Sequence, residues 1–302
     1  MYRSILVPLD GSAFGEQALP VAVGIARRAG AALEVVLVRS VSLPASAVPR
    51  SDKENPLVAE AYAYLDEAVT RLASGIGVPV TATLWEGSIP DALNEHARTQ
   101  GVDLVVMTTH GRGGFSRFWL GSVADDLVRR ASVPVLLVRP LETAPALTQE
   151  PILRHVFIPL DGSSLAEQVL EPAVTLGQLL ETDFILLRIV KPVLFAGHDP
   201  AVFGDPAMGQ PATEQLQAEA RAYLEGIAER LRAQSLRAQT RVIANMQPAV
   251  AILEQSLEPP DGVIALATHG RGGLTRALLG SVADKVVRGA TMPVLVCRPL
   301  SP

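Results

Sequence analysis

The chain has little of what would cross-link it, anchor it or charge it. Its single cysteine, Cys297, cannot form an internal disulfide, which excludes a disulfide-stapled scaffold and fits a reducing compartment. The best apolar runs, such as LEVVLV at 33–38, fall far short of the ~20 residues a membrane-spanning helix needs. The opening MYRSILVPLD lacks the apolar stretch of a secretory signal, so a cytoplasmic protein is expected. There is no Lys/Arg-dense tract, and the formal charge is −5, so no broad electrostatic footprint for duplex nucleic acid is visible. No Cys/His cluster has metal-ligand spacing, and His198-Asp199 stands too isolated to make one. Two familiar phosphate motifs are also missing. GRGGFS at 111–116 and GRGGLT at 270–275 do not fit G-x-G-x-x-G, and no G-x-x-x-x-G-K-[ST] occurs, which excludes a standard dinucleotide or P-loop site.

What is present is a doubled unit. With 302 residues and 48% hydrophobic side chains, two domains are expected. VPLDGS at 7–12 matches IPLDGS at 158–163, an offset of 151. EVVLVRSV at 34–41 matches DFILLRIV at 183–190, an offset of 149. AEAYAYLDEAVTRL at 59–72, THGRGG at 109–114 and LGSVAD at 120–125 all recur 159 residues later. The step from 149 to 159 implies a ten-residue insertion in 191–215, whose Pro, Gly and polar content reads as a long loop. The expected domains are 1–141 and 153–302, joined by a linker at 142–152.

Each unit alternates continuous apolar runs with helical patterns. In the first, SILVPLD, LEVVLVRS, VPVTATLW, VDLVVMT and VPVLLV read as strands. Val58, Ala61/Tyr62, Leu65, Ala68/Val69 and Leu72 recur at helical spacing, and further helices are expected near 90–97 and 122–131. Pro20 and Gly24 interrupt the pattern of the first helix. Such alternation implies an α/β fold of two doubly wound, five-stranded, Rossmann-like parallel sheets.

In a sheet of this kind ligands bind beyond the carboxyl ends of the strands, where strand order reverses. The segment after the fourth strand is the most informative. Gly111, Gly113 and Gly114 permit unusual backbone conformations and leave room for a ligand, and Gly121-Ser122 opens the next helix. A helix start offers unpaired N–H groups and a positive dipole end, which suits an anion. Arg112 and Arg117 lie in the same loop and supply charge-assisted donors. The second unit repeats this with Gly270, Arg271, Gly272, Gly273, Arg276, Gly280 and Ser281. Ser12, Ser163, Ser122 and Ser281 read as helix caps, and Asp125 and Asp284 as negative charge in a first helical turn.

Gly111, nine residues, then Gly121-Ser122, after an apolar strand and before VPVLLVRP, resembles the nucleotide-binding signature G-x-x-G-x9-G-[ST] of the universal stress protein family. Gly270, Gly280 and Ser281 repeat it, and with VPLDGS and IPLDGS the resemblance covers both units, making a tandem member. The resemblance implies sheet order 3-2-1-4-5, an intramolecular pseudo-dimer joined through the final strands, and ATP binding in a stress response. It places Asp10 and Asp161 near the adenosine, and the backbone at Ser40-Val41 and Ile189-Val190 beside the adenine. The triphosphate would lie along Gly111, Arg112, Gly114, Gly121, Ser122 and Val123, and along Gly270, Arg271, Gly273, Gly280, Ser281 and Val282. One departure from the signature is that Thr108 and Ala267 stand where its first glycine would be.

Two other readings stay open at this point. His110 or His269 with Asp10 or Asp161 suggests a slow ATP hydrolase, with Mg²⁺ held only where phosphates supply further ligands. A scaffold whose loops bind no nucleotide is the third. The expected partners are an adenine nucleotide and the chain's own second unit, with no nucleic acid, no membrane, and a further homodimer left open.

Overall fold

A computed structural model describes residues 1–39, 56–74, 77–86, 88–109, 120–142, 146–147, 149–193, 206–268 and 279–299. Two compact units emerge, one of Met1–Ile152 with Pro293–Arg298, the other of Leu153–Met292 with Pro299.

The first unit carries β1 (Ser4–Leu9), a 3₁₀ turn (Gly15–Ala18), α1 (Leu19–Ala29), β2 (Ala32–Arg39), α2 (Pro56–Ala73), β3 (Val80–Glu86), α3 (Ile89–Thr99), β4 (Leu104–Thr108), α4 (Ser122–Arg130) and β5 (Val135–Val138). The strands pair in parallel in the order β3-β2-β1-β4-β5, the order implied by the resemblance. Pro20 falls in the first turn of α1, where its missing N–H costs nothing, and Gly30 ends that helix at a φ of 64°. The apolar strands are buried on both faces, with Ile5, Leu6, Leu33 and Leu104 fully enclosed. The last strand of the chain, β10 (Val294–Cys297 by sequence order), also belongs to this unit and runs antiparallel to β5, Val294 opposite Leu137.

The second unit carries β6 (His155–Pro159), α5 (Ser164–Glu167), α6 (Leu170–Leu179), β7 (Asp183–Val190), α7 (Pro206–Arg232), β8 (Ala238–Ala244), α8 (Pro248–Ser256), β9 (Gly262–Ala267) and α9 (Ser281–Gly289). Its parallel strands run in the order β8-β7-β6-β9, repeating the first unit. Phe157 and Phe184 are the largest fully buried side chains here.

Three expectations change. In α2, Val58, Ala61, Leu65, Ala68 and Leu72 face the core, but Tyr62 is exposed: one turn of helix cannot bury both residues of that pair. The match of 34–41 with 183–190 is out of register, because Ala32 pairs with Ser4 while Asp183 pairs with His155, which keeps the offset at 151 through the second strand. With Tyr64 and Tyr223 matching at 159, the insertion is therefore eight residues. It is also not wholly loop. α7 runs 27 residues against 18 in α2, taking in Pro206 to Gln215 despite Pro211. Thr213 ties this added segment down, since its hydroxyl donates to the Gly209 carbonyl (2.9 Å) and accepts from the Val193 N–H (3.0 Å).

Candidate functional site

β1 lies between β2 and β4, and its connections leave in opposite directions, so a crevice opens beyond the carboxyl ends of β1 and β4. The pairing of Ile5 with Leu104, continued along the strands, brings Asp10 level with Thr109. In the second unit the pairing of His155 with Gly262 brings Asp161 level with Thr268 in the same way.

Asp10 is half-buried and shaped by its own turn. Its Oδ1 accepts from the Ser12 N–H (3.0 Å) and hydroxyl (2.7 Å), with Gly11 at a φ of 78°. The Ser12 hydroxyl accepts in turn from the Gly15 N–H (3.1 Å). Asp161 repeats this, accepting from the Ser163 N–H (2.9 Å) and hydroxyl (2.6 Å), while Ser163 caps α5 through the Ala166 N–H (3.1 Å). Ser163 thus acts as the cap the sequence suggested, whereas Ser12 makes the matching hydroxyl contact but the capping position of its 3₁₀ turn is Phe14.

Ser122 and Ser281 are not caps. The capping positions of α4 and α9 are Gly121 and Gly280, and the serines are the first helical residues, exposed to solvent. Because a glycine cap has no side chain to bend over the helix end, the capping residue itself does not cover the first-turn N–H groups of 122–124 and 281–283. Gly121 has φ −59° and ψ 149°, and Gly280 φ −58° and ψ 144°, conformations open to any residue, so what the glycine contributes here is the absent side chain. Each glycine is pinned to the strand before the loop: the Gly121 N–H donates to the Thr109 carbonyl and the Gly280 N–H to the Thr268 carbonyl, both at 2.8 Å. Asp125 and Asp284 sit in the first turn as expected and are partly neutralised by Arg129 (2.8 Å) and Arg288 (2.9 Å).

The remaining site residues divide by position. Thr108 ends β4, buried, and Ala267 ends β9, half-buried; Val123 is half-buried and Val282 exposed. Ile189 and Val190 are the last two residues of β7. The Leu187 carbonyl accepts from Leu160, just after β6, and the Val190 carbonyl from Asn245, so by strand alternation the Ile189 backbone faces the crevice side, past the end of β6. The register makes Val38 and Arg39, rather than Ser40 and Val41, the counterparts of Ile189 and Val190. Ser40, Val41, Gly111, Arg112, Gly114, Gly270, Arg271 and Gly273 lie outside the described residues, as do His110 and His269. Among the described residues no group of three or more His, Cys, Asp or Glu could hold a metal ion, and no helix is long and apolar enough to cross a membrane.

A second layer escaped the sequence reading. Glu16, in the turn after Asp10, accepts from the Tyr64 hydroxyl (2.8 Å) and from Arg71 (2.8 and 3.0 Å) of α2. Glu167 accepts from the Tyr223 hydroxyl (2.8 Å) and has Arg230 at 3.7 Å. Burial, reinforced by the carboxylate each phenol bonds and by Asp10 or Asp161 nearby, pushes both tyrosines well above their ordinary range. The quoted repeat contained the residues, Tyr64/Tyr223 and Arg71/Arg230, but they recur among six other identical positions of the same segment and so did not stand out.

The model of the universal stress protein family matches residues 1–139 and 153–298. A universal stress protein of Mycobacterium tuberculosis strain H37Rv is 32% identical over 200 residues, 65% of this chain and 62% of that protein. One from Mycolicibacterium smegmatis is 30% identical over 229 residues, 74% of this chain and 70% of its own length. The chain thus spans less than two thirds of the tuberculosis relative. Among solved structures, a universal stress protein from Archaeoglobus fulgidus superposes with a TM-score of 0.69 over 98% of this chain and 96% of its own; at 18% identity this speaks for the fold alone.

Proposed function

From the premise that the chain belongs to the universal stress protein family, we propose that it is a cytoplasmic regulatory module of a stress response that binds ATP or a related adenine nucleotide, with a candidate site in each unit. The observation that carries this reading is the repeated pairing of a glycine-capped helix start with an aspartate turn at the crevice where strand order reverses. An anionic tail fits there because no side chain occupies the cap and the first-turn amides point outward. In each unit the Asp10 or Asp161 carboxylate would meet the ribose. Ile189-Val190 would border the base in the second unit, and in the first the backbone from their register counterparts Val38-Arg39 on into Ser40-Val41. The phosphates would run along Thr108, Gly111, Arg112, Gly114 and residues 121–123, or along Ala267, Gly270, Arg271, Gly273 and residues 280–282. Mg²⁺, where it accompanies ATP, would depend on phosphate oxygens for most of its ligands, since a single carboxylate is a thin site.

Gentle purification followed by mass spectrometry of the released small molecules tests the reading. An adenine nucleotide leaving with the protein is the expected result, and a chain that arrives empty and takes up no added ATP overturns it. Incubation with Mg-ATP separates binding from chemistry: ADP release that disappears with Asp10→Ala and Asp161→Ala together would make the protein a hydrolase.

A further inference from the structure

Away from the crevices, the two units differ on the outer face of one helix. At an offset of 159, Met246, Val250, Leu253 and Leu257, in and beside α8, stand where α3 and its flank carry Gly87, Asp91, Asn94 and Arg98. The four apolar residues recur at steps of four, three and four, which lines them up in one stripe along the helix. Met246, Val250 and Leu257 are exposed, although Ala249, Ala251 and Ile252 already give α8 its buried face. A helix that is apolar all round is normally enclosed, yet the described residues cover only the inner side of this one. Single exposed apolar side chains are ordinary; a stripe of them marks a surface that meets something.

The neighbouring helix has changed with it. In the first unit Arg130 of α4 pairs with Asp91 of α3 (2.9 Å) and with Asp126, and Arg98 pairs with Glu95 (2.6 Å), so the charges of this surface satisfy one another. In α9 the counterparts of Asp126 and Arg130 are Lys285 and Gly289. Leu253 lies over Gly289, so close that an added methyl would collide with it, and this sets the stripe along the seam between α8 and α9. Val282, two turns before Gly289 on the same side of α9, is exposed as well. Opposite charges flank the seam. Lys285 is exposed on α9, and Glu254, about 100° round α8 from Leu253, is exposed on the side of the stripe away from α9. Neither has an ion-pair partner among the described residues.

We propose that this seam binds a second copy of the chain, as a twofold dimer formed through α8 and α9. A twofold axis running along the stripe lays stripe on stripe and brings Lys285 of each copy towards Glu254 of the other, so one patch supplies both the apolar contact and the opposite charge it needs. The same face of the first unit, closed by Asp91, Arg130 and Asp126, takes no part. The dimer does not depend on nucleotide.

Sedimentation equilibrium of the full chain over about 1–200 µM is the test, with a dimer expected at the upper end. Val250→Asp together with Leu257→Arg, the residues the first unit carries at those places, should weaken association at least about a hundredfold. Lys285→Glu should weaken it about tenfold or more by setting glutamates face to face, and adding Glu254→Lys should restore it to within about threefold. All four substitutions fall at exposed positions, and thermal unfolding of each variant checks that the fold is kept. A chain that stays monomeric throughout overturns the proposal and leaves the stripe to a different protein. A dimer that survives Val250→Asp with Leu257→Arg, or a charge exchange that restores nothing, overturns it too.

Discussion

The two units share a strand order and fill it differently. The second packs Phe157 against Gly262 and Phe184 against Gly177, where a methyl group on either glycine would collide with the ring. The first has Leu6 and Leu33 at the register positions of those phenylalanines, with Asp103 and Ala26 where the glycines stand. Ala26 and Leu33 are fully buried, so there bulk has been traded between neighbours and the interior stays full, whereas Asp103 is half-buried and accepts from the Arg3 and Ser4 N–H groups. Polar contents have diverged as well. In the first unit His96 of α3 is buried, its Nε2 2.8 Å from Glu34, which also accepts from Thr83 (2.7 Å), while Trp85 meets the imidazole edge to face. In the second unit Ile185 stands in the place of Glu34 and Gln255 in that of His96. Against this drift, the aspartate turns agree to about 0.1 Å and both glycine-to-threonine pins measure 2.8 Å. Packing has been free to change where the turn and the helix start have not, which is the pattern expected if the crevice, more than the core, is what both units retain.

The sharpest way to break this comparison is to remove a unit-specific polar pair. His96→Ala leaves the Glu34 carboxylate with Thr83 in place of two partners and opens a void, and urea unfolding should show a loss of about 2–4 kcal/mol. Gln255→Ala should cost less than about 1 kcal/mol; equal losses would mean that the buried pair has no special role. Next comes the size exchange. Gly177→Ala should destabilise by about 1–3 kcal/mol through overpacking, and adding Phe184→Leu should recover most of it. A neutral Gly177→Ala would refute the exchange. Tyr223→Phe should cost about 1 kcal/mol and Tyr64→Phe somewhat less, because Glu16 keeps two close bonds from Arg71 whereas Glu167 has Arg230 only at 3.7 Å.

At neutral pH the smallest effect concerns Cys297. Burial pushes its thiol from 9.0 up to about 12, so the folded chain favours the neutral form. The resulting stability is complete below pH 9, where both states keep the proton, and is lost as pH rises towards 12. Unfolding midpoints should therefore fall on the alkaline side, with the half-buried Tyr64 and Tyr223 acting in the same direction, and alkylation at pH 8 should be slow until denaturant is added. Rapid alkylation of the folded chain would contradict this burial.

Much of this architecture was legible because both-face burial writes strands as uninterrupted apolar runs and because the unit is printed twice. What escaped has physical causes. Apolar strands have no internal landmarks, so matching Arg39 with Arg188 slid 34–41 two residues out of register; pairing with β1 and β6 sets the true alignment. Pro211 and its glycines spoke against a helix, yet the Thr213 contacts outweigh their local cost. The serines that open α4 and α9 looked like caps because capping and first-turn positions differ by one residue, a distinction that backbone angles make and composition does not.

The central claim is that the main-chain amides of Ser122 and Ser281 hold phosphate. Proline is tolerated at a first helical position, and the extended Gly121 and Gly280 suit the residue before it, so Ser122→Pro and Ser281→Pro should delete one amide each and leave the helices intact. Titrating ATP into the doubly substituted chain should show affinity weakened about tenfold or more at each site, with the unfolding midpoint unmoved. ATP binding as tight as in the original chain would contradict the account.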